Sequence, residues 1–370
     1  MTIKSLIYWK INYLLCIHMN KNERTIMNNI KKIGLSALAG SLAITGAHAV
    51  EYSISGDAQV IFNTAEGNEN GSAASNGKGI STDMDLYFNA SGELDNGWTV
   101  SFYQAANTHT AWSNSSSQVT MGMGSLGTLQ INNALGSAAN AIDDVLPKAY
   151  EETWDGTTHS RRFDAFGSNT ASGSVDYRTP AIDLMGVSIS ATATYDPSAG
   201  NGAADSSGAG VATSGASGTA YTVKLAHESG LTIGGGFEEA DDFAGNQGQK
   251  NATGYILFSS GPISVGYQES YEDTATGSTT INAEGADTEG EGYSIAYTAG
   301  DISVSYAKIN ETEQAVSDTA ALQEVEMTAV QASYTMGAMT LAASVYKTDN
   351  AEGVAGDDYE ETELSASFAF

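Results

Sequence analysis

From Tyr52 onward the chain alternates apolar and polar residues in segments of strand length, and it keeps doing so to its last residue. Tyr52, Ile54, Ala58, Val60 and Phe62 are mainly apolar, while Ser53, Ser55, Asp57 and Gln59 between them are polar. A repeat of two is the signature of a strand whose faces meet different surroundings. The pattern returns in Met84, Leu86, Phe88 and Ala90, with Asp83, Asp85, Tyr87 and Asn89 on the other face. It returns again in Trp98, Val100 and Phe102 opposite Thr99, Ser101 and Tyr103, after the tight-turn signal Asp95-Asn96-Gly97. Further strands are predicted near 116–124, 127–133, 173–179, 185–196, 219–228, 230–240, 251–260, 262–272, 290–299, 301–310, 324–336, 338–347 and 358–370, sixteen in all.

The connections alternate in length. Short turns at 95–97, 125–127, 180–184, 229–230, 260–262, 299–301 and 336–338 are interleaved with long polar loops. The loops fall at 63–80, 106–115, 134–172, 197–218, 241–250, 273–289, 311–323 and 348–357. After residue 49 no apolar stretch approaches the length of a spanning helix. A sheet enters hydrocarbon only if it closes on itself, because every backbone N–H and C=O must be paired there. An even strand number with short turns at one end and long loops at the other therefore predicts an all-β chain, a 16-stranded antiparallel transmembrane β-barrel wide enough for an aqueous channel. A soluble β-sandwich, a β-helix or an adhesin built of similar hairpins is the alternative. The chain ends with Leu364, Ala366, Phe368 and Phe370 on one face and Glu363, Ser365 and Ser367 on the other, where soluble proteins usually fray. Tyr52, Trp98, Tyr195, Tyr267, Tyr297, Tyr306, Tyr334, Tyr346 and Phe370 are the expected interfacial aromatics.

Residues 27–49 carry Lys31 and Lys32, an apolar run from Ile33 to Ile44, and Ala47-His48-Ala49 before Val50, the layout of a secretory signal peptide. Residues 1–26 precede it and hold the only cysteine, Cys16; a start assigned too far upstream is the simplest account, with a second targeting segment as the alternative. The remaining 50–370 read as one barrel domain, with no linker between regions of different pattern. Removing residues 1–49 takes away six of the 15 basic residues and one of the 44 acidic ones, leaving a net charge of −34. Such a surface argues against nucleic acid as a partner, and without cysteine the barrel has neither disulfides nor thiolate metal ligands.

The order of four segments resembles the Gram-negative porin family, above all its alphaproteobacterial, Rhodobacter-type members. They are the first strand directly after the signal, Gly127-Thr128-Leu129-Gln130-Ile131 before a long third loop, Ser174-Val175-Asp176-Tyr177-Arg178-Thr179-Pro180 after it, and the terminal Ser367-Phe368-Ala369-Phe370. The resemblance implies a homotrimer in the outer-membrane bilayer, each barrel a passive channel for small hydrophilic solutes and ions. It also implies a third loop folded inward, its acidic residues facing basic groups of the wall. On this chain the loop acids are Asp143, Asp144, Glu151, Glu152 and Asp155, and the basic set is Lys148, Arg161, Arg162 and Arg178, sparser than the family's usual arginine cluster.

Strand parity points Asp57, Asp83, Asp85 and Asp176 into the lumen, with Arg178 beside the last, and together with the acidic balance this predicts preferential entry of cations. Structural Ca²⁺ could be held by Asp241-Asp242, by Asp357-Asp358 with Glu360 and Glu361, or by Glu269 with Glu272 and Asp273, though none has the spacing of a dedicated calcium motif, and no other cofactor is expected. A barrel enzyme would need a nucleophile with its base, and His109, His159 and His227 stand in no such motif.

Overall fold

The computed structural model describes residues 50–67, 77–107, 113–133, 136–156, 163–170, 173–199, 216–241, 249–273, 287–314 and 323–370. The predicted signal and upstream extension, residues 1–49, lie outside them, as do Arg161 and Arg162. The strands in chain order are β1 (Glu51–Gly67), β2 (Gly77–Glu93), β3 (Thr99–Asn107), β4 (Ser113–Gly122), β5 (Thr128–Asn133), β6 (Val175–Arg178), β7 (Ile182–Leu184), β8 (Val187–Ala199) and β9 (Ala216–His227). They continue as β10 (Leu231–Ala240), β11 (Lys250–Ser260), β12 (Ile263–Asp273), β13 (Asp287–Ala299), β14 (Ile302–Gln314), β15 (Val325–Met336), β16 (Met339–Asp349) and β17 (Tyr359–Ala369).

Each strand pairs antiparallel with its sequence neighbour, except that β6 and β7 both pair with β8, and β1 also pairs with β17, so the sheet closes. Gly56 and Phe370 exchange both backbone hydrogen bonds, at 2.7 and 2.9 Å, and finish the seam at the end of the chain. β6 and β7 both lie on β8 and form one interrupted stave, so the seventeen strands make a sixteen-stave barrel.

That interruption corrects the predicted turn at 180–184. Pro180 has no N–H to give the ladder, and pairing resumes at Ile182 for a short strand. The turn itself sits at Met185 and Gly186, whose φ values are 52° and 81°, both in the left-handed region that tight hairpins require. Several strands also run past their predicted ends at the long-loop rim. β1 reaches Gly67 and β2 begins at Gly77, because polar residues at the rim keep pairing where alternation of hydrophobicity has stopped.

The two faces are inverted relative to a soluble protein. Ile54 and Ile80 are 69% and 76% exposed, as are Val265, Ile295, Val304, Val330 and Leu364 to lesser degrees, while Gln268, Glu238 and Asp176 inside are fully buried. On β12, β13 and β14 the outward residues run Ile263, Val265, Tyr267, then Glu269; Tyr297, Ile295, Tyr293, then Glu291; and Ile302, Val304, Tyr306, then Lys308. Tyr267 pairs with Tyr293 and Glu269 with Glu291, so a tyrosine row closes the apolar band before the charges begin. Tyr346 is the exception among the expected girdle aromatics. Parity turns it into the lumen, 1% exposed, while Val345 and Lys347 take the outward positions of β16.

Ile295 lies mid-band between Val265 and Tyr306. Ile295→Lys should lower the stability of the vesicle-folded barrel by about 2–4 kcal/mol in equilibrium denaturation, and Ser55→Lys on the lumen face by under about 1 kcal/mol. Equal costs would mean the faces are assigned wrongly.

Candidate functional site

The lumen is where the chain departs from simple alternation. The connection between β5 and β6 turns inward and crosses the barrel, held by wall side chains that strand parity aims at it. Its entry is fastened at Asp176 on β6, whose carboxylate accepts from the Ala138 amide at 2.8 Å, Asn132 Nδ2 at 2.8 Å, Thr194 Oγ1 at 2.6 Å and Gln130 Nε2 at 3.4 Å. The loop then reaches β12, where Gln268 accepts from the Val145 amide at 2.9 Å and donates to the Asp143 carbonyl at 2.7 Å. Farther on, the Ala149 amide donates to Ser305 on β14 and the Tyr150 amide to Gln331 on β15. The Tyr150 hydroxyl donates to Glu363 on β17 at 2.6 Å and accepts from Gln59 on β1 at 2.7 Å.

On its return the loop passes Glu311, which accepts from the Phe163 amide, and ends at Glu238 on β10. Glu238 accepts from the Gly167 amide at 2.9 Å, Thr170 Oγ1 at 3.0 Å and Asn251 Nδ2 at 2.9 Å.

The loop also brings an apolar core into the barrel. Leu146, Trp154 and Phe163 from the loop bury against Ile309, Val325 and Met327 of the wall, all 5% exposed or less. Phe163 fits because β13 carries glycine at two lumen positions. A Cβ on Gly290 would stand 2.8 Å from the Phe163 ring, and one on Gly292 2.7 Å from Leu146 and 2.8 Å from Phe163. Tyr346 packs its ring on the loop at Gly156, which leaves no room for a side chain there. These docking residues were not foreseen, but they carry a signal. Ile309, Met327 and Tyr346 are apolar or aromatic, and Gly290 and Gly292 lack a side chain, at positions whose parity calls for lumen-facing polar groups.

The predicted acids divide into two sets. Asp143 accepts from Asn140 Nδ2 and from the Asp144 amide, and burial pushes its carboxyl up to about 7. Burial likewise lifts the Asp144 carboxyl to about 6, against the pull of Lys148 at 3.8 Å. Burial and the neighbouring Glu363 raise Glu151. Burial works against ionisation of Glu152 as well, but its contact with Lys148 outweighs this and holds it below the ordinary value. Asp155 keeps an exposed flank, yet desolvation of its carboxylate and the adjacent Glu152 hold it up at about 7. Lys148 is thus engaged within the loop itself.

On the wall, Asp57 and Asp85 stand directly opposite each other across β1 and β2, and Asp83 faces Gln59 in the same ladder. Tyr87 donates to Asp57 and its ring stacks on Tyr103 at 5.9 Å. Asp176 points inward as predicted but lies fully buried under the loop. Arg178 projects beside it, 3.8 Å from its carboxylate, with a half-exposed side chain. The calcium set Glu269, Glu272 and Asp273 does not converge, since Glu272 turns inward and the other two outward. Asp242 lies outside the described residues, and among those described no three carboxylate or imidazole groups gather around a common point.

The closed barrel is matched by comparison with known proteins. The family model of the Gram-negative porin matches residues 34–370. The chain belongs to the Gram-negative porins. Solved porins share the fold at low sequence identity. A porin refined at 1.8 Å is 17% identical with a TM-score of 0.59, covering 86% of this chain and 100% of its own. The anion-selective porin from Comamonas acidovorans is 12% identical with a TM-score of 0.60, over 87% and 100%. OmpF of Salmonella typhi, solved in complex with daunomycin, is 10% identical with a TM-score of 0.61, over 86% and 97%. No curated protein sequence matches the chain. As a member of this family the porin is an outer-membrane channel, its short turns at the periplasmic end and its long loops outside.

Two predictions concern the loop. Gly292→Val should overpack the site by about 1–3 kcal/mol, loosening the loop while the barrel stays closed. Trypsin should then cut faster after Lys148, with far-UV circular dichroism unchanged, and unchanged cleavage would refute the packing argument. The second follows from the raised carboxyls. Asp143 and Asp144 bind protons more tightly in the folded loop than at their ordinary value of 3.8, so docking of the loop is strongest below about pH 4 and weakens as pH rises through about 6 to 7. Hydrogen exchange of the amides of residues 138–146, corrected for intrinsic rates, should show protection falling over that window. Protection that rises with pH would reverse the sign.

Proposed function

We propose that the porin is a passive, cation-preferring diffusion channel for small hydrophilic solutes, exported by the signal at 27–49 and assembled as a homotrimer. The observation that carries the preference is the charge lining the passage beside the loop. Asp57, Asp83 and Asp85 form an acidic ladder on β1 and β2, and the loop, which meets β1 at Gln59 through Tyr150, adds Glu151, Glu152 and Asp155 beside it, while burial holds the carboxyls of Asp143 and Asp144 up. Of the basic groups set against them, Lys148 is engaged by Glu152 and Asp144, and Arg178 leans on Asp176. A passage lined by carboxylates concentrates cations and repels anions. Selectivity is set by the charges a barrel presents and not by its fold, so an anion-selective relative of the same architecture is consistent with this reading.

The test is single-channel recording across a planar bilayer under a salt gradient. Conductance steps in groups of three and a reversal potential favouring cations are expected. The triple variant Asp57→Asn, Asp83→Asn, Asp85→Asn should lower the cation-to-anion permeability ratio about twofold or more. A reversal potential favouring anions in the unsubstituted protein would overturn the reading.

A further inference from the structure

The first leg of the loop, from Ala138, held by Asp176 of β6, to Val145, held by Gln268 of β12, runs as a chord across the lumen and cuts off a recess against β8 to β11. The recess has a volume of about 410 Å³ and is lined by Arg178, Lys224, Tyr255 and Leu257 of the wall and by Ile142 and Val145 of the loop. The returning leg docks on Glu238 and Asn251 of the same wall, nearer the outer rim.

Three observations set this space apart from the acidic passage. It gathers two cations in a chain with 15 basic and 44 acidic residues. Lys224 has no ion-pair partner among the described residues, and Arg178 Nε is buried without a hydrogen-bond partner. The Asp176 carboxyl beside Arg178 already accepts from four neutral donors. In register Arg178 meets Thr192, which meets Thr222, and Lys224 lies two residues along β9 from Thr222, which puts the two Cα atoms about 12 Å apart by sheet spacing. Two side chains of this length reach a common point between them. The rest of the lining sets the apolar and aromatic groups of Ile142, Val145, Tyr255 and Leu257 beside hydroxyls of β8 to β10.

We infer that this recess is a binding site for small organic carboxylates, with Arg178 and Lys224 holding the carboxylate and Ile142, Val145 and Leu257 covering the hydrocarbon. Guanidinium and ammonium groups pair strongly with carboxylate when partly desolvated, and a pocket with an apolar body and a few convergent polar groups is the common form of a small-molecule site. The site rests on the channel reading for its access, since solutes reach it through the lumen. It gives an otherwise acid-lined porin a station where an amphipathic anion resides.

Hexanoate is the probe and hexanamide its neutral counterpart. Titration calorimetry on the detergent-folded protein should show hexanoate binding and none for hexanamide, and in planar bilayers hexanoate should interrupt the current in a concentration-dependent way. Lys224→Gln and Arg178→Gln should each weaken binding about tenfold, and Lys224→Arg should restore it, with heat-modifiable gel migration reporting an intact barrel throughout. Equal binding of the amide, or binding unchanged by both glutamine variants, would overturn the site. Binding that depends on these residues in a protein that never conducts would support the site and overturn the channel reading alone.

Discussion

The pairing of backbone N–H and C=O groups in hydrocarbon is the constraint from which the rest of this structure follows. An unpaired peptide group in the bilayer costs several kcal/mol, so β17 must return to β1, and the double hydrogen bond between Gly56 and Phe370 carries the seam to the final residue. The same demand shows where the ladder is broken. Pro180 removes a donor near the periplasmic end, and the neighbourhood repairs the gap. The Thr179 amide donates to the Ala191 carbonyl at 2.9 Å, and the Ala191 amide donates to Thr179 Oγ1 at 3.0 Å. A side-chain hydroxyl replaces a ladder acceptor, and β7 resumes pairing after it.

Closure with this many staves leaves a lumen too wide for side chains of the wall to fill. Narrowing therefore falls to a loop, and a loop surrounded by water would not stay in place by backbone pairing alone. It is held by two kinds of contact usually found in a soluble core. One is the apolar cluster of Leu146, Trp154 and Phe163 against Ile309, Val325 and Met327. The other is a pair of buried carboxylates, Asp176 at the entry and Glu238 at the exit, each accepting several neutral donors from loop and wall. Each gathers loop and wall donors on a single buried side chain, so these two residues act as clasps. The barrel thus contains a small inside-out protein: lipid-facing apolar residues outside, water within, and a dry core where the loop meets the wall.

Alternation made the barrel readable because it reports a single physical fact, the side of the sheet each residue faces. Val175 and Tyr177 outward with Asp176 and Arg178 inward followed from it directly. What parity does not report is whether the lumen side of a position meets water or meets the loop. Asp176 was expected to face the channel and is instead covered, because nothing local distinguishes a solvated aspartate from one that clasps a chain segment. Tyr346 was assigned to the membrane interface on its chemistry although its parity was wrong for it, and parity prevailed. The turn at Met185 and Gly186 was missed because hydrophobicity in Ile182-Asp183-Leu184 is too short to show a period. Gly290 and Gly292, with Ile309 and Met327, are the legible trace of the docked loop, a run of lumen positions that break the polar rule on adjacent strands.

The net charge of the chain is a poor guide to what the lumen does. At physiological ionic strength charges farther apart than about 8 Å are largely screened from one another in open water, so a solute responds to the groups lining its own path. Many of the acidic residues stand elsewhere: Glu269, Glu289 and Glu291 on the outer face, and Glu238 and Asp176 beneath the loop. What remains toward open water is the β1 and β2 ladder and the less buried acids of the loop, Asp155 above all. The loop backbone stands between these and the recess lined by Arg178 and Lys224. Because the partition is made of docked chain and not of mobile solvent, two neighbouring spaces of opposite character coexist within one barrel. Their separation is only as firm as the packing that holds Phe163 and Leu146 against the two glycines of β13.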